Sequence, residues 1–164
     1  MNERRIIQTG IDVSRYQGKI DWARVKAGGT GFAIIKCTQG VNTVDPEFHR
    51  NMRNCAAVGL PVGAYVYSKA RTAFAAAEEA ERAAEECAPY HLDYPIAMDF
   101  EATQFLAMPK KTRGAIIDSF CTRIEARGYK PMLYSSKYWL SALIPSETTR
   151  RWDVWLAQYA SRPT

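Results

Sequence analysis

The sequence predicts an α/β fold, and within that class a modified TIM-like (β/α) barrel, from three observations. Segments of strand and helix character alternate through the 164 residues. The strand-like segments are near-continuous apolar runs, as in parallel strands that are buried on both faces. Acidic residues and tyrosines recur where these segments end. In a barrel all of those ends meet at one mouth, so the polar side chains are expected to converge there.

The elements follow from periodicity and from helix stop signals. Helices are expected to end at glycines, and Asp21 is a predicted N-cap. The segment 136–151 is expected to be a looser, partly helical connection. The predicted strands are 6–14, 32–37, 61–68, 94–101, 130–135 and 152–159. The predicted helices are 21–26, 45–58, 70–88 and 112–127.

An open, doubly wound sheet is the competing architecture. Nucleotide-binding sheets of that kind carry a glycine-rich phosphate loop after the first strand. Here the corresponding residues, 12–18, read Asp-Val-Ser-Arg-Tyr-Gln-Gly, and Asp12 would repel a phosphate. The barrel is therefore favoured.

Composition is ordinary for one globular domain, with 47% apolar and 24% charged residues. No run approaches the roughly 20 apolar residues of a membrane helix. No secretory signal is visible at the N-terminus, so synthesis in the cytoplasm is expected. The net charge of +5 is scattered over 22 basic and 17 acidic residues, which favours a solvated surface. Neither a nucleic acid nor a membrane is expected as a partner.

The cysteines do not indicate a metal site. Cys37, Cys55, Cys87 and Cys121 are far apart and form no CxxC pair, and the chain has only two histidines. Zinc sites use closely spaced ligand pairs. We expect four reduced, mostly buried thiols, and no metal or cofactor.

The segment 94–101 carries the clearest chemical signal. Ile96, Met98 and Phe100 alternate with Ala97, Asp99 and Glu101, so a strand would point both acids to one face, with Cα atoms about 6.6 Å apart. That spacing leaves a retaining or an inverting glycosidase open. An Asp99 anion would raise the pKa of Glu101 and keep it protonated as a general acid. The alternative is an acid pair held by arginines.

Other polar residues at strand ends complete the candidate site. Asp12 is a third acid of the candidate site. The alternative is that Asp12 has a structural role, as a helix N-cap or a turn acid. Lys36 ends a buried strand, and a buried ammonium would need a carboxylate partner. Tyrosines suit a carbohydrate groove but also pack inside barrels. The substrate-binding candidates are Lys36, Tyr65, Tyr67, Tyr134 and Gln158. The helix 70–88 is expected to be solvated scaffold rather than a site.

The order of motifs resembles glycoside hydrolase family 25 lysozymes over nearly the whole chain. The matching stretches are Gly-Ile-Asp-Val-Ser-Arg-Tyr-Gln-Gly at 10–18, Ile-Asp-Trp at 20–22, Phe-Ala-Ile-Ile-Lys at 32–36, Val-Asp-Pro-Glu-Phe at 44–48, Gly-Ala-Tyr-Val-Tyr at 63–67, Pro-Ile-Ala-Met-Asp-Phe-Glu at 95–101 and Trp-Leu-Ala-Gln-Tyr at 155–159.

The resemblance implies a muramidase that cleaves the β-1,4 bond between N-acetylmuramic acid and N-acetylglucosamine of bacterial peptidoglycan. It implies that Glu101 is the general acid, that Asp99 orients the N-acetyl group or stabilises developing charge, and that Asp12 completes the site. An adjacent Asp-x-Glu pair also suits a substrate-assisted, retaining route. A phage endolysin or a bacterial autolysin, acting on the wall from outside the cytoplasm, is expected.

One departure from the family concerns the C-terminal part. Family members continue through a Trp-Gln-Tyr strand to a strand bearing Asp-x-Asn, and these 164 residues contain neither. We therefore expect residues 1–164 to form one catalytic domain that lacks the last one or two strands, with an open edge that favours a homodimer. The alternatives are a weakly active wall-binding remnant and a chitinase-like hydrolase.

Overall fold

The structure of the protein is a computed structural model, and it describes residues 8–159. Its centre is one sheet in which six strands run parallel in the order β1-β2-β4-β5-β6-β7, while the short β3 pairs antiparallel with β2. The strands are β1 Gly10–Val13, β2 Phe32–Gln39, β3 Thr43–Val44, β4 Val62–Tyr67, β5 Ile96–Asp99, β6 Pro131–Ser136 and β7 Val154–Ala157. The first part of the predicted strand 6–14 lies outside the described residues.

The sheet is curled into a half-barrel, which confirms the prediction of an incomplete TIM-like barrel. Within residues 8–159, β1 and β7 are the two edge strands and do not pair with each other. An apolar cavity of about 360 Å³ lies between them and is lined by Phe32, Tyr94, Met132 and Trp155, among others.

Helices connect successive parallel strands, as the alternating pattern predicts. They are α1 Trp22–Ala27, α2 Phe48–Ala57, α3 Ala73–Cys87, α4 Lys110–Ala126 and α5 Ser146–Arg151. The predicted N-cap is confirmed, because the Asp21 side chain accepts a hydrogen bond from Arg24 N at 3.0 Å. Thr72 caps α3 in the same way, at 3.1 Å from Ala75 N. Each cap satisfies a backbone donor that the first helical turn leaves unpaired.

The short strand β3 and the delayed start of α2 were not predicted. The Asp45 carboxylate accepts hydrogen bonds from Arg15 N at 3.1 Å and Glu47 N at 3.0 Å. It therefore ties the loop after β1 to the loop before α2, and α2 begins at Phe48 instead of 45. The predicted connection 136–151 contains a short π-helical turn, Trp139–Leu143, followed by α5.

A single hydrophobic core lies between the sheet and its helices. Gly63 in β4 is needed there, because a Cβ atom would lie 2.6 Å from Pro95 O. All four cysteines are buried free thiols, as predicted. Among residues 8–159, no helix combines the length and the apolar character that crossing a membrane requires.

The prediction that helix 70–88 is only solvated scaffold is wrong for one of its faces. Glu79 of α3 is 2% exposed, and its carboxylate accepts hydrogen bonds from Ser68 Oγ at 2.7 Å and Lys69 N at 2.8 Å. Burial raises the pKa of Glu79, and these hydrogen bonds oppose the shift. The helix thus holds the loop that follows β4, at the carboxyl end of the sheet.

Candidate active site

Parallel pairing places four functional side chains at one level of the sheet. Tyr67 of β4 is the register partner of Asp99 in β5, Asp99 is the partner of Tyr134 in β6, and Tyr134 is the partner of Trp155 in β7. Tyr67 and Asp99 are the last residues of their strands, at the edge of the sheet where β/α barrels place their active sites. The rings of Tyr134 and Trp155 meet edge to face with centroids 4.7 Å apart.

Asp99 is the buried member of the acid pair. It is only 7% exposed, and its Oδ1 atom has no hydrogen-bond partner within the described residues. Burial raises the pKa of Asp99 to about 8; the nearby Glu101 and Asp12 carboxylates add to this rise, and the Lys36 ammonium opposes it. Asp99 is therefore largely protonated at neutral pH. For the free protein, this direction runs against the prediction that Asp99 is the anion of the pair.

Glu101 lies just beyond β5 and is exposed. The residue between the two acids, Phe100, is fully buried, and its ring stacks on Phe105 with centroids 3.9 Å apart. Phe100 N donates to Tyr134 O at 3.0 Å, and Ser135 Oγ donates to Phe100 O at 2.7 Å. The backbone between Asp99 and Glu101 is therefore fixed on both sides of Phe100, while the Glu101 carboxylate faces the mouth.

Asp12 is positioned by the turn that follows it. Ser14 N donates to Gln17 Oε1 at 2.7 Å and Ser14 Oγ accepts from Tyr16 N at 3.3 Å, which makes a capping box over residues Arg15–Gln17. The N-cap of this turn is thus Ser14, and the alternative role of Asp12 as a cap is excluded. Asp12 is exposed and contributes its side chain to the site.

A polar cavity of about 220 Å³ brings the acids and aromatic residues together. Five of the predicted site residues line it, namely Asp12, Tyr65, Asp99, Glu101 and Tyr134. Trp155 and Tyr159 also line it, and the sequence reasoning did not name them as site residues. Side chains alternate along a strand, so in the predicted strand 152–159 the side chains of Trp155 and Tyr159 point to one face. Gln158 points to the opposite face. That parity could have identified both residues.

Neither acid of the pair is neutralised by a basic side chain. Within residues 8–159, no arginine, lysine or histidine forms an ion pair with Asp99 or Glu101. The alternative of a structural acid pair held by arginines is therefore excluded for the described part of the chain. Two carboxyl groups remain available in one cavity, which suits proton transfer rather than a structural role.

Three predicted substrate-binding residues lie outside the lining of this cavity: Lys36, Tyr67 and Gln158. Lys36 is half-buried, and the predicted carboxylate partner is wrong: its Nζ donates to Gln39 Oε1 at 3.1 Å and lies 5.3 Å from the Tyr67 ring centroid. A neutral amide and an aromatic face can solvate an ammonium group in place of a carboxylate. Tyr67 also meets Lys69 Nζ at 4.8 Å. Gln158 is half-buried and follows β7.

Two tyrosines of the cavity are held in the neutral form. Burial raises the pKa of Tyr65, and the Asp99 and Asp12 carboxylates add to the rise. Burial likewise raises the pKa of Tyr134, with contributions from Tyr159 and Glu101. Both phenols therefore keep their protons over the physiological pH range and can donate hydrogen bonds to a ligand's oxygen atoms.

A β/α half-barrel with two uncompensated carboxyl groups and aromatic rings at the carboxyl ends of its strands has the site of a glycoside hydrolase of the barrel class. The chain belongs to glycosyl hydrolase family 25, whose family model matches residues 11–164. The resemblance seen in the sequence motifs is thereby confirmed.

Three similar proteins indicate how far the likeness extends. Lysozyme M1 of Streptomyces globisporus is 45% identical over 60 residues, which are 37% of this chain and 20% of that protein. The uncharacterized protein YegX of Escherichia coli K12 is 33% identical over 158 residues, 93% of this chain and 57% of that protein. This chain therefore spans less than two thirds of the length of either relative.

The third is a solved structure. The bacterial lysozyme from Streptomyces coelicolor superposes with a TM-score of 0.77 at 26% sequence identity, over 99% of this chain and 79% of that chain. The half-barrel is thus shared with a lysozyme along almost the whole of the present chain.

Proposed function

We propose that the protein is a peptidoglycan hydrolase, an N-acetylmuramidase that cleaves the β-1,4 bond between N-acetylmuramic acid and N-acetylglucosamine. The observation that carries the proposal is the pair formed by the buried Asp99, whose pKa is raised by burial, and the exposed Glu101 in one aromatic-lined cavity. Membership of family 25 and the likeness to two proteins named lysozymes support the same substrate.

Glu101 is proposed as the general acid and Asp99 as its partner. In the free protein a proton resides on Asp99. An acetamido N–H group of a bound sugar can donate to the unpaired Oδ1 atom of Asp99, and hydrogen bonds to a carboxylate favour its charged form. Substrate binding would thus ionise Asp99, and the proton that Asp99 releases is taken up by Glu101, which becomes the acid at the exposed mouth.

Bond cleavage then follows a substrate-assisted, retaining route. Glu101 donates its proton to the oxygen of the leaving N-acetylglucosamine as the glycosidic C–O bond breaks, and the acetamido oxygen of the muramic acid residue attacks the anomeric carbon. The Asp99 carboxylate stabilises the positive charge that develops on the acetamido nitrogen. Glu101 next removes a proton from water, which attacks the anomeric carbon, opens the oxazolinium ring and restores the acetamide.

The remaining cavity residues are proposed to bind the glycan. Tyr65 and Tyr134 can donate hydrogen bonds to sugar oxygens, and Trp155 offers an aromatic face for a sugar ring. Asp12 adds negative charge on the far wall, which stabilises an oxocarbenium-like transition state. Lys36, Tyr67 and Gln158 remain proposed contacts for parts of the glycan beyond this cavity.

The domain organisation, the oligomeric state and the place of action are also proposals. We infer that residues 1–164 act as one catalytic domain, supported by the single sheet and single core of the described part. A homodimer through the open edges is supported by Val154 and Leu156 of the edge strand β7, each 39% exposed. The cell wall is the proposed place of action.

The function is tested with purified peptidoglycan sacculi. Parent protein and Glu101→Gln are incubated with sacculi, and new reducing ends and turbidity are measured; release by the parent alone supports the hydrolase. Glu101 is exposed, so this isosteric change is expected to leave the fold intact. Pelleting of the parent with sacculi without any release would instead indicate a wall-binding protein, and cleavage of chitin oligomers as fast as of peptidoglycan would indicate a chitinase-like enzyme.

A further inference from the structure

Arg113 is a buried arginine without an acidic partner. It lies in the first turns of α4, it is 7% exposed, and within residues 8–159 it forms no ion pair. A buried charge that is neither paired nor hydrogen-bonded is strongly destabilising. The guanidinium must therefore be compensated in another way.

Its compensation comes from backbone carbonyl groups of two separate segments. Arg113 Nε donates to Leu143 O at 2.7 Å, and Nη1 donates to Met108 O at 2.8 Å and to Phe105 O at 3.1 Å. Leu143 ends the helical turn Trp139–Leu143, Met108 directly follows the helical turn Thr103–Ala107, and Phe105 is the middle residue of that turn. Phe105 O also accepts from Met108 N at 3.1 Å, and a planar guanidinium with several fixed donors reaches carbonyl groups of both segments at once.

The two segments that Arg113 joins lie directly behind the acid pair. The turn Thr103–Ala107 follows Glu101 by one residue, and Trp139–Leu143 follows β6. Phe105 stacks on Phe100 with ring centroids 3.9 Å apart and planes at 16°, and the Trp139 ring meets Phe100 edge to face at 5.8 Å. Phe100 is the residue between Asp99 and Glu101. A continuous series of contacts therefore runs from the guanidinium through Phe105 and Trp139 to the backbone of both acids.

We infer that Arg113 is a positioning residue of the active site, which holds the loops after β5 and β6 so that Phe100 fixes the direction of Glu101. The expected effect of Arg113 on catalysis rests on the proposed function. Its role in holding the two loops is a property of the free protein and does not depend on that function. Arg113 does not line the cavity, so it acts through the aromatic contacts and not on the substrate. Small displacements of catalytic groups lower rates steeply.

The test compares Arg113→Lys with Arg123→Lys, an exposed arginine of the same helix. Arg113→Lys keeps the positive charge and allows folding, but it removes the planar guanidinium group whose N–H donors reach both segments. On solubilised peptidoglycan we expect its kcat to fall at least about tenfold with KM within about twofold, whereas Arg123→Lys behaves like the parent. Phe105→Leu, which removes the stacking on Phe100, should lower kcat as well, and the double variant should lose less than the product of the two single losses.

Amide hydrogen exchange provides a measurement that is independent of activity. We expect Arg113→Lys to accelerate exchange at least about tenfold in residues 100–108 and 139–143 but not in β2, and Arg123→Lys to accelerate neither. If the parent releases no reducing ends, the proposed function is refuted. The exchange experiment alone then tests the positioning role of Arg113. Unchanged exchange in both segments, unchanged kcat in an active enzyme, or a rise in KM alone would overturn the inference.

Discussion

Asp99, the last residue of β5, is the register partner of Tyr134 in β6, and Phe100 N donates to Tyr134 O at 3.0 Å. This pairing carries Asp99 into a buried position, while Glu101 emerges beyond the end of the strand. Two carboxyl groups that are close in sequence therefore experience different environments. Burial raises the pKa of Asp99, and a difference in environment is how paired acids acquire distinct roles.

Asp99→Asn is expected to change how stability depends on pH. Because the pKa of Asp99 is raised from 3.8 to about 8 on folding, the folded state binds a proton that the unfolded state releases above pH 4. This contribution is fully present below pH 4 and is lost as pH rises towards 8. The parent should thus lose up to about 5 kcal/mol of its free energy of unfolding over this range, at about 1.4 kcal/mol per pKa unit.

Denaturant unfolding at pH 4, 6 and 8 measures this effect. Asp99→Asn should match the parent at pH 4 and exceed its stability at pH 8, although it should lose activity by on the order of 100-fold. Asp153→Asn is the control, because Asp153 is exposed and pairs with Lys130 at 2.8 Å. A parallel pH dependence of the Asp99→Asn variant and the parent would contradict the raised pKa.

Glu79→Ala is expected to destabilise the fold, whereas Glu78→Ala at the neighbouring position is not. The substitution leaves Lys69 N and Ser68 Oγ without the buried carboxylate that accepts their hydrogen bonds, at a cost of about 2–4 kcal/mol for two orphaned groups. Glu78→Ala, in the same helix but exposed, should change the free energy of unfolding by less than about 0.5 kcal/mol. Equal effects of the two substitutions in thermal and denaturant unfolding would refute the assigned role of Glu79.

Tyr134 and Trp155 should be energetically coupled. Their edge-to-face contact at 4.7 Å predicts a coupling free energy of about 0.5–1.5 kcal/mol in a double-mutant cycle with leucine at both positions. Trp155→Leu should also raise KM for peptidoglycan fragments more than it lowers kcat, since its proposed contact is with bound sugar in ground and transition states alike. Strict additivity of the two leucine substitutions would exclude the coupling.

Leu156→Lys is expected to weaken self-association through the open edge. Leu156 is 39% exposed on β7, and a lysine on an edge strand opposes strand pairing between molecules. Sedimentation or light scattering over a range of concentrations should show a dimer for the parent and a smaller dimer fraction for the variant. Arg150→Lys, at an exposed position in α5, serves as the control. A parent that stays monomeric at every concentration would exclude the proposed dimer.

Much of the fold followed from the sequence because apolar runs and helix stop signals are local. Among the described residues, the six parallel strands were predicted within a few residues of their bounds, apart from the start of the first, which lies outside them, and Asp21 was correctly assigned as a cap. The delayed start of α2 was missed, since the Asp45 carboxylate is used by Arg15 N, thirty residues away in the chain. Such long-range partners are not encoded in the spacing of neighbouring residues.

The site was predicted less completely than the fold for a related reason. Alternation correctly placed Asp99 and Glu101 in one cavity, but burial raises the pKa of Asp99, and burial depends on packing that periodicity does not describe. Lys36 was expected to need a carboxylate, whereas Gln39 and the Tyr67 ring solvate it. Arg113 gave no signal at all, because its partners are backbone carbonyls, which every residue possesses.

The central claim is that the Asp99–Glu101 pair cleaves the bond on the reducing side of N-acetylmuramic acid. The most direct measurement digests purified sacculi, reduces the products with borohydride and identifies the terminal sugar alcohol by mass spectrometry. We expect N-acetylmuramitol at the new ends with the parent protein, and at least about 1000-fold less of it with Glu101→Gln. New ends that carry N-acetylglucosaminitol, or equal yields from the parent and the Glu101→Gln variant, would contradict it.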